Sequence, residues 1–378
     1  MPSYSTPESV AIKALLNAEE FQIPVTQDDN DYFPDYLKTL IEKYLAYFDA
    51  HLIDKIQEIW QGQPESKAHL IKITHGIATG IINAVNYYYE GKIHNATDTF
   101  NSVLNEIEFG NLTIVDKIDT GKNFYRARRS DANKIKRADI FHNPFEKRQF
   151  VNTSRYSVPG LPALYLGGSV YVCWEEFDRP PIKDIFFSRF SNKTPLNIIK
   201  IQRFDDFFKD LPSGDIRTLD ETTFILMYVC TFPLSIACSI KTKEAKGSFK
   251  PEYIIPQLLL QYVADNEEID GILFPSTKVD YKNVDNVSSY NYVFPVKHVA
   301  KKGFCTNLLA KFELTEPTSL ELEALIHYSE IKVREAGYVN PLPGSLTIVE
   351  GVDSPYIMTS FGRIEETLIE RTLASPTN

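Results

Sequence analysis

The sequence predicts an α+β protein in which a helical N-terminal part precedes a region of short strands. Between residues 35 and 110, apolar residues recur every three or four positions, as on the buried face of a helix. Beyond this range the pattern changes to short apolar or alternating runs of strand length, beginning with 112–118 and 124–128. Longer apolar segments at 222–240 and 253–265 predict buried helices, and the segment 304–314 is predicted to be a last core strand. Helices and strands that are separated along the chain favour the α+β class.

This change of pattern divides the chain into four consecutive segments. Residues 1–34 are mixed and rich in Asp and Asn, which is typical of a loosely held arm. Residues 35–110 form a helical module, and residues 111–315 form the core domain. Residues 316–378 are predicted to be a C-terminal α/β extension.

Bulk composition excludes several classes of protein. Of the 378 residues, 43% are hydrophobic and 24% are charged, which is ordinary for a globular protein. The net charge of −10 argues against a protein that coats nucleic acid, so no direct nucleic-acid partner is expected. The four cysteines lack CxxC spacing and the N-terminus lacks a signal-peptide pattern. Both features predict a cytoplasmic protein with reduced thiols.

The segment 222–240 has no charged side chain over 19 residues, close to the length that spans a bilayer. Pro233 interrupts it, and several Thr and Ser residues dilute its hydrophobicity. We therefore interpret it as a buried core helix and expect no membrane partner.

The stretch from Arg155 to Asp178 combines an Arg-Tyr pair, a short apolar strand and a helical segment with two glutamates. Ser169 is predicted to cap the helix, which starts at the following residue. On that helix Cys173, Glu176 and Phe177 share a face, whereas Glu175 points about 100° away. Only one of the two carboxylates is therefore expected to face the interior.

A carboxylate on the inner face of an apolar helix needs a cationic or hydrogen-bonding partner, and Arg126 and Arg155 are the candidates. Strand alternation places Arg126 and Arg128 on one face, where their guanidinium groups suit phosphates. Two purely structural interpretations stay open: the glutamate and an arginine form a structural ion pair, and the arginines lie on a solvated edge strand. The functional interpretation is a site for an anionic substrate with a catalytic carboxylate.

Common catalytic and nucleotide-binding motifs are absent from the sequence. It contains no GxGxxG after a strand, no GxxxxGK[ST], no HExxH and no GxSxG, and its seven histidines are scattered. No metal site is expected. Ser276 ends a predicted strand and Asn291 opens another, so both lie where loops build sites. Together with the arginines and the carboxylate, they suit a negatively charged, nucleotide-like ligand.

Two segments resemble motifs of the RES-domain family, which is named for an arginine, a glutamate and a serine. The YRAR segment resembles the first arginine motif, with Arg126 as its arginine. The segment RYSVPGLPALYLGGS is similar to the family's Arg…Gly…Leu-Tyr block and contains Arg155 and Tyr165. The family's glutamate follows that tyrosine by eleven positions, which selects Glu176 and agrees with the helix-face argument.

Two further motifs extend the resemblance over residues 112–315. The FPS segment matches the serine motif and supplies Ser276, and NYVFP is similar to the asparagine-strand motif and supplies Asn291. The resemblance implies an ADP-ribosyltransferase-like fold with a mixed β core, and a RES catalytic domain over 111–315. It also implies an NAD-consuming toxin of the kind found in toxin–antitoxin pairs.

The implied reaction cleaves the N-glycosidic bond between nicotinamide and ribose in NAD, which is a substrate and not a cofactor. Phosphate as acceptor makes the enzyme an NAD phosphorylase, a glycosyltransferase that releases ADP-ribose-1''-phosphate and nicotinamide. Water as acceptor makes it an NAD glycohydrolase. The implied catalytic residues are Glu176, Arg126 and Ser276. The implied NAD-binding residues are Arg126, Arg155, Tyr165, Ser276 and Asn291.

Two other functions fit the same residues. One is a mono-ADP-ribosyltransferase that modifies a macromolecule and differs only in the acceptor. The other is a non-catalytic nucleotide-binding module, in which the glutamate merely neutralises an arginine. The expected partners are NAD and inorganic phosphate. The sequence leaves open an antitoxin or regulatory protein and a homo-oligomer.

Overall fold

The computed structural model describes residues 7–27, 32–60, 64–109, 114–211, 219–242, 247–327, 344–349 and 352–377. The helices in these ranges are α1 Pro7–Leu16, α2 Phe33–Tyr47, α3 Ile53–Trp60, α4 Pro64–Tyr89, α5 Ile93–Phe109, α6 Arg137–Ile140, α7 Val170–Glu176, α8 Phe204–Asp210, α9 Leu219–Cys238, α10 Ile254–Asp265, α11 Thr306–Lys311, α12 Leu320–His327 and α13 Ser360–Glu370. The strands are β1 Val25–Gln27, β2 Val115–Ile118, β3 Asn123–Arg129, β4 Ala163–Gly167, β5 Ile185–Asn192, β6 Leu196–Lys200, β7 Ile240–Thr242, β8 Gly271–Pro275, β9 Val284–Asp285, β10 Tyr290–Pro295, β11 Phe312–Leu314, β12 Ser345–Val349 and β13 Val352–Pro355. The chain is therefore an α+β protein, as the sequence predicts.

The chain forms two compact units that do not follow the four predicted segments. The first unit contains Met1–Asp116, Ser154–Tyr156 and Ile199–Asn266. The second unit contains Lys117–Thr153, Ser157–Ile198 and Glu267–Asn378. The region 199–266, which the sequence analysis assigned to the core domain, thus belongs to the same unit as the N-terminal helices. Its long apolar helices bury their surface there, which a linear division along the chain does not reveal.

The helices expected from apolar spacing between residues 35 and 110 are present in the first unit as α2, α3, α4 and α5. A π-helical turn, Phe48–Leu52, joins α2 to α3. The side chains that set the helical period are buried, including Leu37, Ile41 and Tyr44. Tyr44 also donates its hydroxyl to the Val229 carbonyl of α9, at 2.5 Å, so the helices are joined by polar as well as apolar contacts.

The described part of the predicted N-terminal arm is closely packed. Ile12, Leu16, Phe21 and Ile23 are buried, and β1 pairs in parallel with β7. Residues 7–27 are therefore not loosely held, because four apolar side chains among the polar ones anchor the segment. Residues 1–6 of the predicted arm and 328–343 of the C-terminal extension lie outside the described residues.

Helix α9 contains the uncharged segment singled out in the sequence. It is long and apolar enough to cross a bilayer, but 83% of its most apolar window, Glu221–Cys238, is buried in the described structure. Pro233 lies within the helix without ending it. This burial is typical of a core helix.

An eight-stranded sheet has the order β11-β5-β3-β4-β10-β8-β6-β2, and its first six strands lie wholly in the second unit. These six strands pair antiparallel with their neighbours. Alternating residues of the strands enter two apolar clusters, as expected for a sheet covered on both faces. Phe124 and Leu166 belong to one cluster, and Tyr125 and Ala127 belong to the other.

One predicted strand of the core domain differs from the structure. The segment Phe304–Leu314 was expected to be a single strand, but it begins with the helix α11 and becomes extended only at Phe312. Cys305 and Leu308, one helical turn apart, are buried together in the sheet core. Short apolar runs fit both patterns, so periodicity alone does not separate them.

Candidate active site

Four adjacent strands bring together most of the residues that the sequence analysis selected. Tyr125 of β3 pairs with Gly167 of β4, which pairs on its other side with Asn291 of β10. Asn291 in turn pairs with Phe274 of β8, two residues before Ser276. A single row across the sheet therefore runs beside the predicted arginine, tyrosine, asparagine and serine.

The strands β3 and β4 separate along one side of this row. They share a single register position, whereas β3 pairs with β5 at seven positions and β4 with β10 at five. Arg126 lies where the pairing stops, and its Nη1 donates to the carbonyl of Tyr165 at 2.5 Å. The guanidinium group thus satisfies a backbone acceptor that strand pairing leaves open.

Helix α7 follows β4 after a tight turn that requires glycine. A Cβ atom at Gly167 would lie 2.6 Å from the Cys173 sulfur, and one at Gly168 would lie 2.0 Å from the Ser288 hydroxyl. Ser169 then caps the helix by accepting the Val172 N–H at 3.2 Å, which confirms the predicted N-cap. Its hydroxyl also donates to the Ser288 carbonyl at 2.6 Å, so the start of the helix is fixed to the loop before β10.

Glu176, the last residue of α7, is the polar centre of the site. Its Oε1 accepts hydrogen bonds from the Ser276 hydroxyl and the Asn291 side-chain amide, each at 2.6 Å. Within the described ranges no side chain donates to Oε2, and no cationic group forms an ion pair with this carboxylate. The negative charge is thus held by two neutral donors and stays available to a positively charged ligand atom.

The two donors are themselves held rigidly. Ser276 is fully buried, and its backbone N–H donates to the Ser289 carbonyl at 3.0 Å. The hydroxyl of Tyr281 donates to the carbonyls of Ser276 and Ser289. Asn291 is buried within a strand that is paired on both sides. Such support keeps the hydrogen-bond donors in place when the charge nearby changes.

Lys278 fixes the C-terminal end of α7. Its Nζ donates to the Glu176 carbonyl at 2.6 Å and to the Asp178 carboxylate at 2.9 Å. A cation at the C-terminus of a helix satisfies an unpaired carbonyl and interacts favourably with the helix dipole. Asp178 and Arg179 adopt φ values of 60° and 53°, the left-handed region that non-glycine residues rarely adopt. Lys278 therefore stabilises a strained turn directly after the glutamate.

The expectation that Glu175 points away from the interior is wrong. Glu175 is 2% exposed, and its Oε2 accepts a hydrogen bond from Arg179 Nε at 2.8 Å. Phe177, which was placed on the buried face with Glu176, is 42% exposed and lies beyond the end of the helix. Because α7 is short and its residues 170–173 are all buried, it has no single inner face. The two carboxylates differ both in their partners and in their burial, because Glu175 is buried and Glu176 is partly buried.

Arg126 keeps its positive charge at neutral pH. Burial, and to a smaller extent the charge of neighbouring Arg128, lowers its pKa to about 10 against the opposing effects of Cys173 and Tyr165. The Tyr125 and Ala127 side chains are buried on the opposite face of β3, as strand alternation predicts. Arg126 is thus a cation beside the row of site residues, suited to an anionic group.

Tyr165 and Arg155 lie in different units. The Tyr165 hydroxyl forms a hydrogen bond of 2.7 Å with the Ser157 hydroxyl, and both residues belong to the second unit. Arg155 belongs to the first unit, where its Nη1 donates to the Ile240 carbonyl at 2.8 Å. Its guanidinium also lies over the Tyr253 ring, 5.2 Å from the centroid. The role of Arg155 in ligand binding stays a prediction.

Lys278, which follows the FPS motif by two positions, is not among the residues predicted from the sequence. A lysine in a polar loop gives no pattern that distinguishes it, although its closeness to Ser276 was a usable signal. In the part of the chain that the structure describes, no cluster of three or more His, Cys, Asp or Glu side chains could hold a metal ion. The arrangement can therefore be described by its side chains: a held carboxylate, a serine, an amide and a nearby guanidinium.

Comparison with known proteins gives one relative and one structural neighbour. The chain is 29% identical over 366 residues to a protein of Bacillus subtilis (strain 168) described as "Putative toxin YopC", which covers 93% of this chain and 79% of that protein. Among solved structures it is similar to a chain of the M. tuberculosis MbcT-MbcA toxin-antitoxin complex, with 12% identity over 55% of this chain and 92% of that chain. The TM-score of this match is 0.27. No protein-family model matches the chain.

Proposed function

We propose that this chain is an NAD-degrading toxin that cleaves the bond between nicotinamide and ribose, with inorganic phosphate as the acceptor. The observation that carries the proposal is the Glu176 carboxylate, held by Ser276 and Asn291 and without a cationic partner among the described residues. The similarity to a protein described as a toxin supports the biological role. We place the reaction in the cytoplasm, where both NAD and phosphate are present.

Glu176 would act on the charge that develops during bond cleavage. As the C1'–N bond of the nicotinamide riboside breaks, its electron pair moves to the ring nitrogen and positive charge spreads over the ribose. The ionised carboxylate stabilises that charge, and Oε2 accepts a hydrogen bond from a ribose hydroxyl. Phosphate then forms the new C1'–O bond. Nicotinamide leaves as a neutral molecule, so the reaction requires no general acid.

The remaining site residues would bind and orient the substrate. Arg126 suits a phosphate of the NAD pyrophosphate because a guanidinium offers two parallel donors. Tyr165 would stack on the nicotinamide ring or orient it. In the same proposal Arg155 contacts a second phosphate group, and an antitoxin would limit the activity in the cell.

The test is the release of free nicotinamide from NAD by the purified protein, measured by chromatography alongside Glu176→Gln. We expect release by the wild type and very little by the variant. A parallel reaction with radiolabelled NAD and cell lysate would detect any transfer of ADP-ribose to a macromolecule. Such transfer would show that the acceptor is a macromolecule and not phosphate. Binding of NAD without release of nicotinamide would indicate that the site is a non-catalytic nucleotide-binding module.

A further inference from the structure

The C-terminal segment contacts the helix that carries the candidate catalytic glutamate. Glu365 of α13 accepts the backbone N–H of Val170, the first residue of α7, at a distance of 2.6 Å to Oε1. The same oxygen accepts the hydroxyl of Tyr356 at 2.5 Å. An acidic side chain at this position satisfies a backbone donor that a helix leaves unpaired, and its charge is favourable at the helix N-terminus.

Apolar packing joins the same two helices. Phe361 of α13 lies against Tyr171 and Trp174 of α7, with ring centroids 5.6 and 5.2 Å apart. Phe361 is 4% exposed, so this contact is part of the core. Helix α7 is therefore held along its length by α13.

Helix α13 is in turn anchored to the central sheet. Arg189 of β5 donates to the Leu368 carbonyl at 2.9 Å and to the Arg371 carbonyl at 3.0 Å, at the C-terminal end of α13. Arg189 is 9% exposed, and it also donates to the Asn123 side chain of β3. A continuous set of contacts thus runs from the sheet through α13 to the first turn of α7.

We propose that Glu365 is a positioning residue for the candidate active site, because it fixes the first turn of the seven-residue helix that ends in Glu176. A rise of 1.5 Å per residue puts the two ends of α7 roughly 9 Å apart, so a shift at the first turn reaches the carboxylate. In this proposal the C-terminal segment helps to hold the candidate catalytic glutamate in position. The predicted effect on turnover rests on the proposed function; the effect on the helix does not.

The ionisation of Glu365 makes the contact sensitive to pH. Burial raises its pKa to about 7, against the opposing hydrogen bonds from Tyr356 and the Val170 N–H. The other titratable groups that face it are Tyr356, Tyr125 and Cys173, and burial raises the pKa of all three. None of those three ionises near neutral pH. Because the pKa of Glu365 in this contact lies above its ordinary value of 4.5, ionisation weakens the contact, and the first turn of α7 is held more tightly below pH 7 than above it.

A single-tryptophan protein tests this directly. The chain has two tryptophans, so Trp60→Phe leaves Trp174, which lies on α7 against Phe361. We expect its emission to change with pH around a midpoint near 7. Glu365→Gln keeps an acceptor oxygen but not the charge, and should abolish that transition. Glu366→Gln, on the exposed neighbouring residue, is the matched control and should retain it.

The second readout is the pH profile of NAD cleavage. Turnover should fall about threefold to tenfold as the pH rises through 7 in the wild type and in Glu366→Gln, whereas Glu365→Gln, which resembles the protonated form, should stay near the low-pH level. A fluorescence transition that persists in Glu365→Gln would overturn the positioning role. Absence of NAD cleavage in every protein, with the fluorescence transition present as expected, would instead refute the proposed function alone.

Discussion

Replacing Glu176 by glutamine removes the charge on which the proposed chemistry depends and little else. Glutamine retains a carbonyl oxygen that can accept the Ser276 and Asn291 hydrogen bonds seen at 2.6 Å. A carboxylate about 4 Å from a unit positive charge contributes roughly 4 kcal/mol at an effective dielectric constant of about 20. We therefore expect kcat to fall by about 10²–10³.

Glu175 provides a matched control on the adjacent residue. Its carboxylate is paired with Arg179, and neither Ser276 nor Asn291 contacts it. Glu175→Gln should retain kcat within about twofold, once the folded fraction has been measured by thermal unfolding. The assay is nicotinamide release at saturating NAD. Equal losses of kcat in the two variants would refute the assignment of Glu176 as the charge-stabilising residue.

Four further predictions follow from the contacts described above. Ser276→Ala and Asn291→Ala each remove one donor to the carboxylate, so each should lower kcat by about 10–100-fold, measured by nicotinamide release. Arg126→Lys loses the paired donors of the guanidinium and should raise KM for NAD about tenfold, with a smaller effect on kcat. Gly271→Ala places a Cβ atom 2.6 Å from a carbonyl oxygen of β10, and should lower the free energy of unfolding by about 1–3 kcal/mol in urea titrations. The folded-state pKa of Glu365 is about 7, above its ordinary value of 4.5. Its contribution to the free energy of unfolding is therefore fully present below pH 4.5 and is lost as the pH rises through 7, a change of about 3 kcal/mol. Glu365→Gln should remove this pH dependence.

The sequence was sufficient to predict the parts of the site that depend on local chemistry. Ser169 was identifiable as an N-cap because a breaker precedes an apolar run. The motifs around Ser276 and Asn291 led to residues that the structure brings to one carboxylate. Long helices with a clear apolar period could also be predicted from the sequence, and α9 was recognised as a core helix in spite of its length.

Contacts between segments that are far apart in the sequence could not be predicted from local patterns. Glu365 lies 195 positions from its partner Val170, in a segment without a motif or a period that marks it. The burial of Glu175 was missed because helix-face reasoning assumes one buried side, and α7 has more than one. The segment 199–266 belongs to the first unit because of the surface against which its apolar helices pack, and the local sequence pattern does not specify that surface.

The most direct test of the proposed reaction is phosphorus NMR of NAD incubated with the purified protein, with and without millimolar inorganic phosphate. We predict that the NAD pyrophosphate signals are replaced in phosphate by those of ADP-ribose carrying a new sugar-phosphate resonance, with an equal amount of free nicotinamide. Glu176→Gln should leave the spectrum unchanged over the same period. An NAD spectrum that stays unchanged with the wild-type protein in both buffers would contradict the proposed cleavage of NAD.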